Sequence, residues 1–581
     1  METMTDISST ALAKADLWLN SAALDEPSKV RIREMIEGDM PTLTESFYGD
    51  LEFGTGGLRG IMGVGTMCMN KYTVGMATQG LANYINLQFP GKQSAVAIAF
   101  DSRNNSKFFA ETAAEVLSAN GIRVHIFEDL RPTPLLSFAV RELKCQSGIV
   151  ITASHNPKEY NGYKAYWEDG GQVLAPHDKG IIAEVRKVTS PDDVKFDGDA
   201  SLIQTIGPEV EVEYFKNLMT LIHSKREIAQ SSTLKVVYTS IHGSGITMVP
   251  KALSRLGFQN VYTVEEQAIP DGNFSTVISP NPEEKEALSM ALALAEKENA
   301  DIVLGTDPDT DRVGLAIRNH SGQMVLMNGN QTLSLIVYYQ LTQWKNKNLL
   351  NGKQYIAKTT VTTNLVEKIA EHFNVKWYET LTGFKNIAGV IGQKEGSETF
   401  ITGGEESYGY SVGEFVRDKD AIISSVVICE IAAWCNATNR TMWDLLMEIF
   451  EQFGLYHETL LSVTIQGLEG IQKINEKMVK LRNNPPASLG GSNVVALRDI
   501  QIGELKDLIT GKTTKVDLPV SNVLQFMLAD GSKITARPSG TEPKIKFYFS
   551  LKEKFEGPTQ YDAQVQKMEA RIKTIQGEIG L

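Results

Sequence analysis

The chain has 581 residues, of which 42% are hydrophobic and 22% charged. That is apolar material for several cores, and domains of ~100–200 residues give about three to five of them. A net charge of −13 gives no sign of the basic face that a nucleic-acid partner needs, and an anionic substrate must be met by a local concentration of Arg, Lys and backbone N–H groups.

The N-terminus, METMTDISST, is polar and has no basic segment followed by an apolar one, so a cytoplasmic location is expected. Cys68, Cys145, Cys429 and Cys435 form no CxxC pair, which argues against a disulfide framework. FGTGGLRG at 53–60 has the glycine content of a phosphate loop but fits neither GxxxxGK[ST] nor a GxGxxG entering a helix; Arg59 is its candidate anion contact. AVAIAFDSRNNS from Ala95, the helical AETAAEVLSANG and IRVHIFE then form a strand, polar loop, helix and strand. Strand GIVIT ends in Ala153-Ser154-His155-Asn156-Pro157 within 148–164, exposing a serine at a strand end. A Ser-His-Asp hydrolase is disfavoured, because adjacent Ser and His do not easily form the nucleophile–base hydrogen bond and no GxSxG elbow surrounds Ser154. Alone, the segment is more readily a structural turn than a nucleophile.

A second unit runs from LKVVYTSIHGSG at Leu234 through MVPKALSRLG to NVYTVEE. GTDPDTDRVG at 305–314 follows the strand-like DIVLGT. Asp307, Asp309 and Asp311 recur at every second residue, so an extended loop points three carboxylates the same way. Converging carboxylates need a cation, and hard oxygen donors select Mg²⁺ or Ca²⁺; the alternative is a solvated acidic turn. The EF-hand pattern is not matched, since Arg312 stands where its loop needs glycine.

The third unit is QYIAKTTVTTN from Gln354, LVEKIAEHF and VKWYETLTG. Three such units predict three α/β domains related by internal duplication. ITGGEESYGYSVGEFVRDKDA at 401–421 presents Glu405, Glu406 and Ser407 between glycines, with Arg417 and Lys419 in the polar turn that follows. Carboxylate plus hydroxyl suits sugar hydroxyls, though the segment also reads as a solvated charged turn. AIISSVVICEIAAWC at 421–435 contains Glu430 and two serines and falls short of the ~20 apolar residues of a membrane span, so a buried helix is expected and no membrane partner. Beyond residue 455, short strands and a helix from about Thr559 predict a smaller α+β domain. Its TARPSGTEPKIK at 535–546 gathers Arg537, Ser539, Gly540, Thr541 and Lys544 in a tight turn, which is either a phosphate nest or a surface hairpin. The expected boundaries are 1–215 with the serine loop, 216–325 with the metal loop, 326–450 with the sugar loop and 451–581 with the phosphate loop.

TASHNP, DPDTDR, GEESYG and RPSGTEPK, in that order, resemble the α-D-phosphohexomutase superfamily. FGTGGLRG, LTGFK at 381–385 and EESYGY are similar to its long bacterial α-phosphoglucomutases, which in turn resemble animal enzymes acting as phosphoglucomutase and phosphopentomutase. The resemblance implies three related α/β domains with mixed sheets and a C-terminal domain around a central cleft. It implies Mg²⁺-dependent interconversion of glucose 1-phosphate and glucose 6-phosphate through a phosphoserine and glucose 1,6-bisphosphate. The alternatives are pentose or mannose phosphates with the same mechanism, or a sugar bisphosphate synthase. By motif, Ser154 matches the phosphorylated serine, and Ser154 with Asp307, Asp309 and Asp311 the metal site. Glu405 and Ser407 match sugar contacts, and Arg537, Ser539, Gly540 and Thr541 the loop on the phosphate that is not being transferred. Arg59, His155, Lys164, Arg312, Lys385 and Lys419 match basic positions around the site, with Gly383 and Arg417 as further substrate contacts. Lys164, Lys419 and His155 are the candidate general bases; a lysine buried beside other cations is expected to have a lowered pKa. The partner is a small-molecule sugar phosphate, with a monomer and a homodimer both open.

Overall fold

The computed structural model describes residues 4–54, 56–465, 470–539 and 543–581. Among these residues four sheets form, and the first three repeat one topology. In the first sheet Ala95–Phe100 is flanked in parallel by Arg123–Phe127 and Ser147–Ile151, and Tyr160–Trp167 returns antiparallel against the latter. In the second, Lys235–Thr239 lies between Asn260–Thr263 and Ile302–Thr306, and Val313–Arg318 returns antiparallel. In the third, Gln354–Thr359 lies between Lys376–Thr380 and Thr399–Gly404, and Tyr410–Val412 returns antiparallel. Helices cover the faces, so the third strands Ser147–Ile151 and Ile302–Thr306 are buried at every residue. That is why they appear in the sequence as unbroken apolar runs rather than alternating ones. The mixed sheets and the duplication expected from three strand–loop–helix units are both present.

The repetition determines where chemistry can be placed. Each antiparallel return needs a hairpin at the C-terminal end of the third strand, the edge where α/β sheets gather their ligands. The three hairpins carry Ser154, the three aspartates and Glu405–Ser407. Each also holds one non-glycine residue at positive φ: Ser154 at 53°, Thr310 at 58° and Tyr408 at 65°. Such conformations are uncommon and persist where the surroundings hold them.

The fourth sheet is antiparallel, and its longest pairing joins Leu455–Thr464 to Lys544–Glu553 along their full length. Hairpin Leu524–Leu528/Lys533–Pro538 completes the face that carries Arg537, and helices Gly470–Asn483 and Tyr561–Glu578 pack with this domain. At the other end of the chain, helices Met4–Asn20, Glu26–Gly38 and Met40–Phe47 build a small core around Trp18, Ile32, Leu43 and Phe47, closed by Tyr72.

Helix Ala421–Ala437 is the apolar run identified in the sequence. Asp420 caps it by accepting the Ile422 and Ile423 backbone N–H groups at 2.8 and 2.9 Å, and nearly all of its residues are buried. Among the described residues no single helix is long and apolar enough to cross a membrane. Ile428 sits at its centre with no exposed surface. Ile428→Ala should therefore cost about 2–5 kcal/mol through lost burial and the cavity left behind. A thermal melt of the variant should show a clear downward shift, and an unchanged melt would contradict the packing described.

Candidate active site

Ser154 is presented by a loop that its own domain holds tightly. Its backbone N–H donates to Thr152 Oγ1 at 2.8 Å, and Thr152 Oγ1 donates to Asp101 at 2.6 Å. The Ser154 hydroxyl is buried, donates to Asp307 Oδ2 at 2.9 Å and lies 3.2 Å from His155 Nδ1, so the adjacent pair does reach hydrogen-bond distance, contrary to expectation. The hydroxyl's donation to an aspartate of a neighbouring domain is what separates the site from a Ser-His-Asp arrangement. The hydroxyl of the first domain therefore meets the carboxylate of the second. Strand Gly57–Ile61 pairs with Tyr160–Trp167 beside this loop, and Arg59 on it donates to Asn156 Oδ1 at 3.2 Å. Gly57 is required there: its φ is +133°, and a Cβ would lie 1.7 Å from the Tyr163 carbonyl oxygen.

Asp307, Asp309 and Asp311 are buried and place carboxylate oxygens within 4.8 Å of one another. Asp307 Oδ1 accepts the backbone N–H groups of Asp311 and Arg312 at 3.1 and 3.0 Å, which curls the loop around it. Thr133 Oγ1 donates to Asp309 Oδ2 at 3.1 Å. Asp309 Oδ1 and Asp311 Oδ1 are buried with no hydrogen-bond donor among the described residues. Orphaned carboxylate oxygens converging with a serine oxygen fit a hard divalent cation. The electrostatics agree. Burial and then the Asp309 and Asp311 charges push Asp307 well above the carboxylate range. Asp311 goes the other way: burial opposes ionisation, but Lys164, Lys419 and Arg312 outweigh it and hold the carboxyl below its ordinary value.

The basic groups come from three domains. Lys164 Nζ reaches Asp309 Oδ2 at 2.6 Å and Asp311 Oδ2 at 3.0 Å, and Lys419 Nζ reaches Asp311 Oδ2 at 3.1 Å. Lys419 lies against the backbone of Gly409, where a Cβ would be 2.0 Å from its side chain. Arg312 pairs with Glu283. The lowered lysine pKa expected from the sequence is not found. Burial acts to lower both lysines, but Asp309 and Asp311 around Lys164, and Asp311 and Asp418 around Lys419, raise them above the ordinary value. His155 is depressed well below its usual value by burial and by Arg312 and Arg59.

These groups open onto one cleft of about 1190 Å³ that all four domains line. Gly383, Lys385, Glu405 and Ser407 line it from the third domain, and Arg537 from the fourth. Glu405 Oε1 accepts the Gly383 backbone N–H at 2.8 Å, which ties the LTGFK turn to the EES loop. Glu406 is raised to about 7 by burial and by its neighbour Glu405. Ser539 closes its loop by donating its backbone N–H to Lys544 O at 2.7 Å; Gly540 and Thr541 lie outside the described residues.

Arg417, expected among the substrate contacts, is placed elsewhere. It is buried, pairs with Glu395 at 2.9 Å and donates its backbone N–H to Ser137 Oγ at 2.8 Å. Two cations in one polar turn look alike in sequence; Glu395, at the end of helix Phe384–Lys394, captures this one. Conversely, sequence reasoning passed over Arg103, which binds the backbone of the serine loop, and Lys546, which lines the cleft. The Lys-x-Lys alternation of strand Lys544–Glu553 was a usable signal for Lys546, since residues two apart share a face.

Three family models match the chain: phosphoglucomutase/phosphomannomutase alpha/beta/alpha domain I over residues 50–192, domain II over 212–322 and domain III over 328–453. The chain is similar to a phosphoglucomutase of Staphylococcus aureus strain USA300, with 38% identity over 531 residues, 91% of this chain and 93% of the relative. It is likewise similar to a phosphoglucomutase of Staphylococcus epidermidis, with 38% identity over 511 residues, 87% of this chain and 92% of the relative. Its fold is shared with the open form of pp63/parafusin, a phosphoglucomutase from Paramecium, at a TM-score of 0.68 and 19% identity over 92% of this chain and 96% of that one. A phosphoglucomutase/phosphomannomutase family protein from Burkholderia thailandensis gives 0.65 and 19% over 90% and 96%.

The unpaired aspartate oxygens lead to a prediction about stability. A divalent cation binding the folded trio relieves its mutual repulsion and stabilises the fold by mass action. Added Mg²⁺ should raise the melting temperature of the wild type, and Asp309→Asn should reduce that rise or abolish it. Equal Mg²⁺-induced shifts in the two proteins, read by differential scanning fluorimetry, would remove Asp309 from the cation site.

Proposed function

The chain belongs to the phosphoglucomutase/phosphomannomutase family, and from that premise we propose that it interconverts glucose 1-phosphate and glucose 6-phosphate, with Ser154 as the phosphoryl carrier. Family membership makes it an intramolecular phosphotransferase of the isomerase class. The observation that carries the reading is the Ser154 hydroxyl, 2.9 Å from Asp307 of a buried aspartate trio, at the wall of a cleft lined with cations.

Phosphoryl transfer needs in-line positioning and charge neutralisation more than covalent assistance. Asp307, Asp309 and Asp311, with a phosphoserine oxygen, would hold Mg²⁺; bound there, the ion neutralises charge on the phosphoryl group and on the serine oxygen that leaves. Arg312, Arg59 and Lys164 line the same cleft and would add positive charge there from the protein side. Glu405 and Ser407 offer acceptor and donor to sugar hydroxyls, which sets the ring's orientation. Arg537, with Ser539, Gly540 and Thr541, holds the phosphate at the far end of the substrate. The attacking hydroxyl must lose a proton, and Lys164, Lys419 and His155 all line that part of the cleft; of these, His155 is the one held neutral. Transfer from Ser154 gives glucose 1,6-bisphosphate. The bisphosphate turns end for end, and its other phosphate returns to Ser154. Both orientations must satisfy the same Arg537 contact.

A coupled assay tests this reading. Interconversion should require Mg²⁺, be stimulated by a trace of glucose 1,6-bisphosphate, and favour glucose over mannose and ribose phosphates in kcat/KM. Ser154→Ala should lower kcat by at least ~10³-fold, the scale of losing a covalent nucleophile. Wild-type turnover in that variant would end the carrier role.

A further inference from the structure

Arg103 lies in the turn after the central strand Ala95–Phe100, behind the cleft wall, and is only 3% exposed. Its guanidinium does not face the substrate. Nη1 donates to the carbonyl oxygens of Pro157 and Tyr160 at 2.9 and 3.1 Å, and Nη2 donates to that of Ser154 at 2.5 Å and to that of Asn156. Asp101 stands 3.4 Å from Nε and balances the charge, and is itself fixed by Ser106 at 2.7 Å and Thr152 at 2.6 Å. One planar fork therefore closes on four carbonyl groups of the loop that holds Ser154 at φ 53°.

The fork is braced from the next domain. The ring of Phe274 lies under the guanidinium at 5.0 Å, and Asn104 Nδ2 donates to Asn273 Oδ1 at 3.1 Å. Gly272 packs so closely that a Cβ would lie 2.4 Å from the Asn104 backbone nitrogen. The same segment continues to Ser279, whose hydroxyl lies 3.5 Å from the His155 carbonyl oxygen, and to Glu283, the partner of Arg312. The segment thus touches both the serine loop and the aspartate loop, the two parts whose separation must be correct for transfer.

We propose that Arg103, braced by Phe274 of the neighbouring domain, is a positioning residue that sets Ser154 Oγ against the aspartate trio during phosphoryl transfer. This rests on the mutase reading. Phosphoryl transfer is sensitive to placement, and a shift of about 1 Å at the reacting atom costs roughly 10²-fold in rate. Lysine cannot replace the arginine, because three donors on a point charge do not span four carbonyls that a planar fork of five N–H groups can reach.

The test uses the full chain with Arg103→Lys, Arg103→Ala and Phe274→Leu. Arg103→Lys should lower kcat for glucose 1-phosphate by roughly 10²-fold, with KM within roughly threefold of wild type, because the substrate contacts are untouched. Phe274→Leu should move kcat in the same direction by less. Amide hydrogen exchange should rise in residues 152–160 of Arg103→Lys while the protein still melts cooperatively. Wild-type kcat in a folded Arg103→Lys, or unchanged exchange in 152–160, overturns the proposal. So does a parallel rise in KM and fall in kcat that follows only the loss of melting temperature. If Arg103→Ala fails to fold, Arg103→Lys and Phe274→Leu decide. A wild type that interconverts no sugar phosphate overturns the mutase reading instead, and the exchange measurement still tests what Arg103 holds.

Discussion

Three buried carboxylates facing a buried hydroxyl form the constraint from which the rest of the site follows. Asp307, Asp309 and Asp311 lie within 4.8 Å of one another. Such a cluster is unfavourable unless positive charge comes to it. The chain supplies that charge from every side: Lys164 from the first domain, Arg312 from the second and Lys419 from the third. The arrangement requires the domains to be docked, because no single domain holds both the aspartates and all their partners. Asp418 and Asp420 show how far the docking extends. They flank Lys419 in sequence and accept the hydroxyls of Tyr166 and Tyr214 at 2.7 and 2.6 Å, so residues 160–214 fix the direction in which a third-domain lysine points.

The repeated topology explains how one site can draw on several domains. Each of the first three sheets ends its third strand at an edge, turns through a hairpin and returns antiparallel. The hairpins have diverged in what they carry: Ser154 in the first, Asp307, Asp309 and Asp311 in the second, and Glu405–Ser407 in the third. Their common backbone feature is one non-glycine residue at positive φ, an uncommon conformation that persists where the surroundings hold it. The fourth domain contributes differently, through strand Lys533–Pro538, where Arg537 extends from an antiparallel face.

Legibility in the sequence followed from how local each feature is. The strand–loop–helix units were readable because burial on both faces removes polar residues from the strands. The aspartate trio was readable because its members are spaced two apart on one loop. Ser154 was weak on its own, since a Ser-His-Asn-Pro turn has the chemistry of any turn; what makes it distinctive is Asp307, more than a hundred residues away in sequence. Arg103 was not legible for the same reason. In DSRNNS it is one polar residue among several, and its four carbonyl partners lie some fifty residues on. Arg417 shows the opposite error, a cation assigned to substrate by its neighbours in sequence but claimed by Glu395 in space. Periodicity reports on faces of one element; it carries no information on which distant group a charge will meet.

The overall charge of −13 makes the cleft's own balance the deciding quantity for an anionic ligand. Arg59, Arg312, Lys385, Lys419, Arg537 and Lys546 line it, but so do Glu283, Glu405 and Glu406. Glu406 is held there by hydrogen bonds and by its surroundings. Its carboxylate accepts the Thr359 and Thr362 hydroxyls at 3.3 and 3.4 Å, and burial beside Glu405 holds it near about 7. Burial and the neighbouring carboxylate disfavour its charged form, which lessens the negative charge it presents to an arriving phosphate. A low-dielectric wall strengthens what remains of the field from the cations. An acidic protein can thus concentrate an anionic sugar in one cleft without a basic surface, because burial suppresses part of the local negative charge while guanidinium groups keep theirs.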